Sequence, residues 1–196
     1  GDGYDDVAVG APYLGDTDPA MAPYQYSGTV LLYYGTANGL SPEPQKLHAP
    51  KTLSCQGATC FPNLHLGMSV AFGYIKDARE IDVPPNTFPD TISGGTTPFR
   101  KKDLIVGAPG LINNDGRGGV IVIPGTTDAQ NLLEDSTALG HLDVAKIHVL
   151  QPVQCKFGDP LYKGSDRCGY KVASADYNQD GWDEVVFSDA EGHHGS

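Results

Sequence analysis

The sequence predicts an all-β protein in which four-stranded antiparallel sheets repeat along the chain. Three observations carry that prediction. Short apolar, β-branched runs alternate with turn-forming stretches, 25 glycines and 15 prolines being spread among 196 residues, which is how many short strands joined by turns read. No helical periodicity of useful length competes: the best helical stretch, TTDAQNLLEDSTALGHL at 126–142, is short and loop-like. The runs also recur as copies, with DDVAVGAPY at 5–13 matching KDLIVGAPG at 102–110 and, more weakly, DEVVFSDAE at 183–191.

Each element then follows in order. The first two copies are followed by GTVLLYYG at 28–35 and GGVIVIPG at 118–125; the later copies are preceded by LGMSVAFG at 66–73 and CGYKVASA at 168–175. A repeat therefore reads as an inner strand (67–73 or 169–175), a second strand (103–108), a third (119–124) and an outer strand, 144–150 with 46–49 as its counterpart. Between Tyr33 and Tyr34 the strand period puts one ring in the core. With Asp6, Asp103 and Glu184 taken as equivalent, the copies lie 97 and 81 residues apart. That is more than four short strands need, so insertions separate them, the clearest being the Pro-, Thr- and Gly-rich segment 75–102. One such sheet cannot bury both its faces alone; stacking sheets radially does so and leaves only short edges, which is the β-propeller solution. On this reading residues 1–196 are a fragment of one propeller: a partial blade over 1–50, a full blade over 67–152 carrying the insertion, and a partial blade over 169–196, too few strands to close a ring. The sequence does not open on Met and reads as a mature or excised piece.

Composition narrows the function. The formal net charge is −11 and the only basic cluster is Arg100, Lys101 and Lys102, which excludes a nucleic-acid surface. No apolar run approaches membrane-spanning length, so no membrane contact is expected of this fragment. Four cysteines fall as two local pairs, Cys55 with Cys60 and Cys155 with Cys168. An even count in loop-like surroundings points to disulfides and an oxidising compartment. The rival, a zinc site, would favour the tight two-residue spacing that zinc ribbons use.

The stretch DYNQDGWDE at 176–184 carries the chemistry. Asp176, Asn178 and Asp180 stand at loop positions one, three and five, the Trp182 carbonyl at seven and Glu184 at nine, with Gly181 at six allowing a sharp turn. Calcium (Ca2+) is a hard cation that wants several oxygen ligands from a loop able to wrap it. An EF-hand loop starts identically, but its twelfth position here is Phe187 and both flanks read as strands, so a cation loop between two strands fits and an EF-hand does not. The competing reading is an acidic Asx-type turn without metal. The first residues look like the second half of the same loop, keeping Asp2 at position five, the Tyr4 carbonyl at seven and Asp6 at nine. The middle repeat has Tyr74 where Asp176 stands, and no standard cation site is expected there.

VAVGAP and LIVGAP, each after an acidic residue, together with a glycine-led strand upstream and DYNQDGWDE, resemble the FG-GAP repeat. That repeat is found in integrin alpha-subunit propellers, in many bacterial surface proteins and in the C-terminal half of glycosylphosphatidylinositol-specific phospholipase D. The resemblance implies a propeller, usually of seven blades, with calcium in loops of this kind. It departs at position nine, where the family has Asp and this sequence has Glu184, and in the FG half, which reads Leu66-Gly67 and Cys168-Gly169. The implied function is an extracellular adhesion or recognition module that takes a protein or glycan ligand and pairs with a second subunit. Partners would dock on the rim opposite the cation loop, formed by 13–27, 110–118 and 189–195 with 50–66 and 151–168 beside them. Tyr13, Tyr24 and Tyr26 are its candidate anchors, exposed tyrosine being favoured at interfaces, against the plainer reading of a Pro/Tyr-packed surface loop. No metalloprotease, nucleophile-elbow or phosphate-loop motif is present, so this region is not expected to be an enzyme. An accessory propeller of a secreted hydrolase and a carbohydrate-binding module are the alternatives.

Overall fold

β-branched runs closed off by glycine become strands because the branched side chains fit a pleated surface and glycine permits the turns between them. A computed structural model describes residues 4–15, 27–50, 55–56, 59–60, 64–75, 102–113, 116–125, 133, 140–150 and 168–189. The first sheet is built from β1 (Val7–Ala11) and β2 (Thr29–Tyr33). Two short strands, β3 (Gly35–Thr36) and β4 (Gly39–Leu40), form a hairpin before β5 (Gln45–His48), which completes that sheet in the order β1-β2-β5. A second small hairpin follows, β6 (Cys55–Gln56) with β7 (Thr59–Cys60). Then come β8 (Val70–Gly73), β9 (Asp103–Gly107), the hairpin of β10 (Ile112–Asn113) and β11 (Gly116–Arg117), β12 (Val120–Ile123) and β13 (His148–Leu150). β8, β9, β12 and β13 make one four-stranded antiparallel sheet in which each strand pairs with the next. The last pair is β14 (Cys168–Ala175) with β15 (Glu184–Asp189). The fold is thus all-β, and no α-helix occurs among the described residues.

The inner strand of the middle sheet begins at Val70, not at residue 67, because Gly67 turns the chain with φ 85°; two further details differ from the sequence reading. The outer strand of the middle sheet begins at His148, not Val144, because Val144–Lys146 form a 3-10 turn. The Asp143 carboxylate caps that turn by accepting from the Ala145 amide at 3.0 Å, and Lys146 closes back on the same carboxylate at 3.3 Å. Such local bonds compete with a strand ladder. Accepting the Ala145 amide, with the Lys146 ammonium nearby, also lowers the pKa of Asp143 from its ordinary value. Tyr33 is half-buried and Tyr34 exposed, so neither ring enters the core; the Tyr34 hydroxyl donates to Gln45 Oε1 instead.

The core lies between the first and middle sheets. Val30, Leu47, Leu64, Leu66, Leu104, Val106, Leu111, Ile121 and Leu142 form one buried cluster, with Ala8, Leu32, Val70 and Phe72 packed against it. Burial of a side chain of this size stabilises by roughly 1.5–3 kcal/mol. In β9, alternation sends Leu104 and Val106 towards the first sheet and puts Ile105 on the face of Gly107, which meets β14. The middle sheet is therefore covered on both sides. The equivalent residues of the first sheet, Val7 and Val9, are 39% and 43% exposed, against 5% and 0% for Leu104 and Val106. Val186, which corresponds to Ile105, is likewise exposed.

The two sheet junctions are built alike. A Cβ placed on Gly10 would lie 1.9 Å from the Gly67 carbonyl oxygen, and one on Gly107 would lie 2.0 Å from that of Gly169. Gly67 and Gly169 hold φ of 85° and 84°, the left-handed region that favours glycine. Parallel bridges Gly28↔Leu66 and Gly118↔Cys168 close the same junctions from the third strand. Side chains add two bonds between β8 and β14: Ser174 Oγ donates to the Phe72 carbonyl at 2.8 Å, and the Val172 amide donates to Ser69 Oγ at 3.1 Å. Gly107→Ala is expected to force these backbones apart and to cost roughly 1–3 kcal/mol, read as an earlier urea unfolding midpoint.

Candidate metal site

Ala175 pairs with Glu184 at the end of the β14–β15 ladder, so the eight residues between them must turn the backbone through a half circle. They do so with two left-handed residues, Gln179 at φ 61° and Gly181 at φ 89°. A non-glycine residue in that region is uncommon, and here the surrounding hydrogen bonds hold it. Asp176 Oδ1 accepts from the Asp180 amide at 3.0 Å, and Asp176 Oδ2 from the Gly181 amide at 2.9 Å. Asn178 Oδ1 also accepts from the Asp180 amide at 2.9 Å, and Asp180 Oδ1 from the Trp182 amide at 2.9 Å. These are successive Asx turns. Glu184 reaches back across the loop: its Oε2 accepts from the Tyr177 amide at 2.8 Å and its Oε1 from Asn178 Nδ2 at 2.9 Å. The same Nδ2 donates to Asp180 Oδ2 at 3.2 Å. Trp182 is buried beneath the loop while Tyr177 stands 88% exposed at its tip.

Asp176, Asn178, Asp180 and Glu184 thus belong to one hydrogen-bonded loop. Their carboxylates are turned onto the loop's own amides, and among the described residues no group of three or more His, Cys, Asp or Glu side chains is gathered as a metal cluster. The donor chemistry nonetheless fits a hard cation, since every candidate donor is an oxygen. A carboxylate oxygen that accepts one N–H retains a second lone pair. The extra methylene of Glu184 is accommodated because the side chain folds inward.

The loop is also tied to its neighbour. Asp183, at position eight, exchanges two bonds with the end of β8: its amide donates to the Tyr74 carbonyl, and its Oδ2 accepts from the Tyr74 amide, both at 2.8 Å. Sequence reasoning did not single out this residue, because the signal lies in a partner 109 positions away. The acid before each VGAP copy has a similar task. Asp103, buried, accepts from the Ile75 amide at 2.9 Å and the Gly125 amide at 2.8 Å, fastening the ends of β8 and β12 to the start of β9. Asp6 accepts from the Gly35 amide at 2.9 Å, fastening β2 to β1 in the same way.

The other sequence candidates are distributed as follows. Asp2, Tyr24, Tyr26 and Cys155 lie outside the described residues. Tyr4 is exposed near the start of β1. Tyr13 is exposed beyond the other end of β1, its ring edge-on to His65 at 5.3 Å and 71°. His65 itself holds φ 53° at the turn into β8. Tyr13 and the 176–184 loop are therefore at opposite ends of the strands. Cys55 and Cys60 are register partners across β6–β7, and Cys168 is disulfide-bonded.

The protein is similar to integrin alpha-6 of Homo sapiens, with 31% identity over 108 residues that span 53% of the present sequence and 7% of that protein. It is also similar to integrin alpha-6 of Gallus gallus, with 34% identity over 109 residues that span 53% of the present sequence and 8% of that protein. It thus carries an integrin alpha-like region and spans less than a tenth of the curated relatives it matches. No family model matches it.

Removing the Asp103 carboxylate would take away an acceptor from two part-buried strand-end amides at once, each hydrogen bond to a charged group being worth about 1.5–3 kcal/mol where water does not replace it. Asp103→Ala is expected to destabilise the fold by roughly 1–3 kcal/mol. Asp103→Asn, which keeps one acceptor oxygen, is expected to cost less; paired denaturant titrations compare them.

Proposed function

We propose that this integrin alpha-like protein is part of an extracellular, calcium-stabilised β-propeller used for cell adhesion or ligand recognition. The observation that supports the reading best is the likeness to integrin alpha-6 over half of the sequence, which stands beside a succession of antiparallel sheets and one oxygen-lined loop. In this reading residues 1–196 are a fragment of a single propeller, with blades over 1–50, 67–152 and 169–196 and the insertion at 75–102. Further sheets of the same kind would cover Val7 and Val9 on one side and Val186 on the other.

Asp176, Asn178, Asp180, the Trp182 carbonyl and Glu184 would hold Ca2+, and Asp2, Tyr4 and Asp6 would belong to a second loop. The ion would supply no reaction chemistry. It would neutralise three carboxylates crowded on one turn and fix the loop whose Asp183 is bonded to the neighbouring sheet. Pairing of Cys55 with Cys60 and of Cys155 with Cys168 suits the extracellular placement. The role is recognition, not catalysis. The partner is a protein or glycan ligand, together with a second subunit. Tyr13, Tyr24 and Tyr26 would anchor it on the rim away from the loop, tyrosine being enriched among the residues that dominate interfaces.

Two measurements test this reading. Calcium at a hundredfold excess over its dissociation constant would add about 2.7 kcal/mol of stability. The melting temperature should rise from chelator to millimolar calcium, and Asp180→Ala should remove most of that rise; equal melting in both buffers would contradict the calcium assignment. Binding to an array of matrix proteins and glycans should fall in Tyr13→Ala, Tyr24→Ala or Tyr26→Ala with calcium-dependent melting unchanged. A loss seen instead on altering 75–102, with the tyrosines silent, would put the site on the rim that carries the cation loop.

A further inference from the structure

We infer that Asn38, at the tip of the β3–β4 hairpin, is a site of spontaneous covalent modification in the folded protein. It is the only asparagine of the sequence followed by glycine. In that dipeptide the Gly39 amide nitrogen can reach Asn38 Cγ without a Cβ in the way. The two residues are exposed, and beyond its immediate chain neighbours nothing lies within 4 Å of where a Gly39 Cβ would stand. Gly39 holds φ 104°. The strands behind it are two residues each, and the tip is held through the Thr36 hydroxyl, which donates to the Gly39 carbonyl at 2.7 Å and accepts from the Asn38 amide at 3.2 Å. Opening so small a hairpin is cheap. The bonds that secure its base lie further back, between Tyr34 and Ser41.

The chemistry balances without an outside oxidant or catalyst. The Gly39 nitrogen attacks Asn38 Cγ, a new bond forms between them, and the bond from Cγ to Nδ2 breaks. Ammonia leaves with the proton lost from the Gly39 amide. Water then opens the cyclic imide at either carbonyl, leaving aspartate or isoaspartate at position 38. The Asp180–Gly181 pair, which forms the same imide by loss of water, differs in its setting: its Gly181 amide is part-buried and bonded to Asp176 Oδ2 at 2.9 Å, whereas Gly39 is exposed and pairs with Thr36 across a two-residue ladder. The consequence at Asn38 is local. The Asp6–Gly35 bond places the foot of this hairpin at the N-terminal end of β1, the end at which the 176–184 loop stands in the third sheet. Modification adds a negative charge to that rim, and isoaspartate lengthens the backbone at the tip.

Peptide mapping of the intact protein, incubated folded in mildly alkaline buffer made with heavy-oxygen water, tests this inference. The peptide containing Asn38 should gain the mass of amide-to-acid conversion, take up one heavy oxygen and split into two chromatographic forms. Asn38→Gln should abolish all three changes while leaving the melting temperature unchanged. If a synthetic peptide spanning 34–44 converts and the folded protein does not, the fold protects the site and the inference is overturned. Conversion in neither sample overturns it as well.

Discussion

Everything in this fold depends on how closely two sheets approach at Gly10–Gly67 and Gly107–Gly169. The hypothetical Cβ distances of 1.9 and 2.0 Å to a carbonyl oxygen mean that backbone meets backbone with no side chain between. That approach brings β8 near enough to β14 for Ser69 and Ser174 to bond across. It also sets the depth to which Leu104 and Val106 penetrate the first sheet. Glycine here is a spacing device, and the recurring glycines of the sequence recur because the spacing does.

The acid that opens each second strand shows how one position takes different partners as its surroundings change. Where the inner strand of its own sheet is adjacent and a long insertion intervenes, Asp103 is buried and serves two strand ends. Where the loop is short, Glu184 turns inward to a loop amide and to Asn178. The preceding residue, Asp183, then takes over the link between neighbouring segments, but reaches across a sheet junction. A longer side chain at 184 suits this arrangement, since it spans the loop while its neighbour points outward.

Much of this was legible in the sequence. The period-two runs gave the strand class, and the repeated VGAP copies located equivalent strands in different sheets. The oxygen donors of 176–184 were legible too, because a loop must place alternate residues on one side. What was not legible depended on contacts distant in sequence or on competition at short range. Val144–Lys146 looked like strand, but the Asp143 cap and Lys146 won it for a 3-10 turn. The placing of one tyrosine of the Tyr33–Tyr34 pair in the core assumed a covered face that the described sheet does not have there. The small hairpins β3–β4, β6–β7 and β10–β11 carry too little apolar pattern to announce themselves. The clamp roles of Asp103 and Asp183 became visible only once their partners were in place.

The contrast between Val9 and Val106, the same residue type at the same point of two repeats, has a further meaning. One is half-solvated and the other fully dry, so the free energy of a sheet here resides chiefly in its boundaries. A stack of this sort behaves as a one-dimensional array with nearest-neighbour coupling. A disturbance in one sheet is felt by the sheets it touches and fades beyond them, and cooperativity travels along the array only as far as each glycine-spaced seam transmits it.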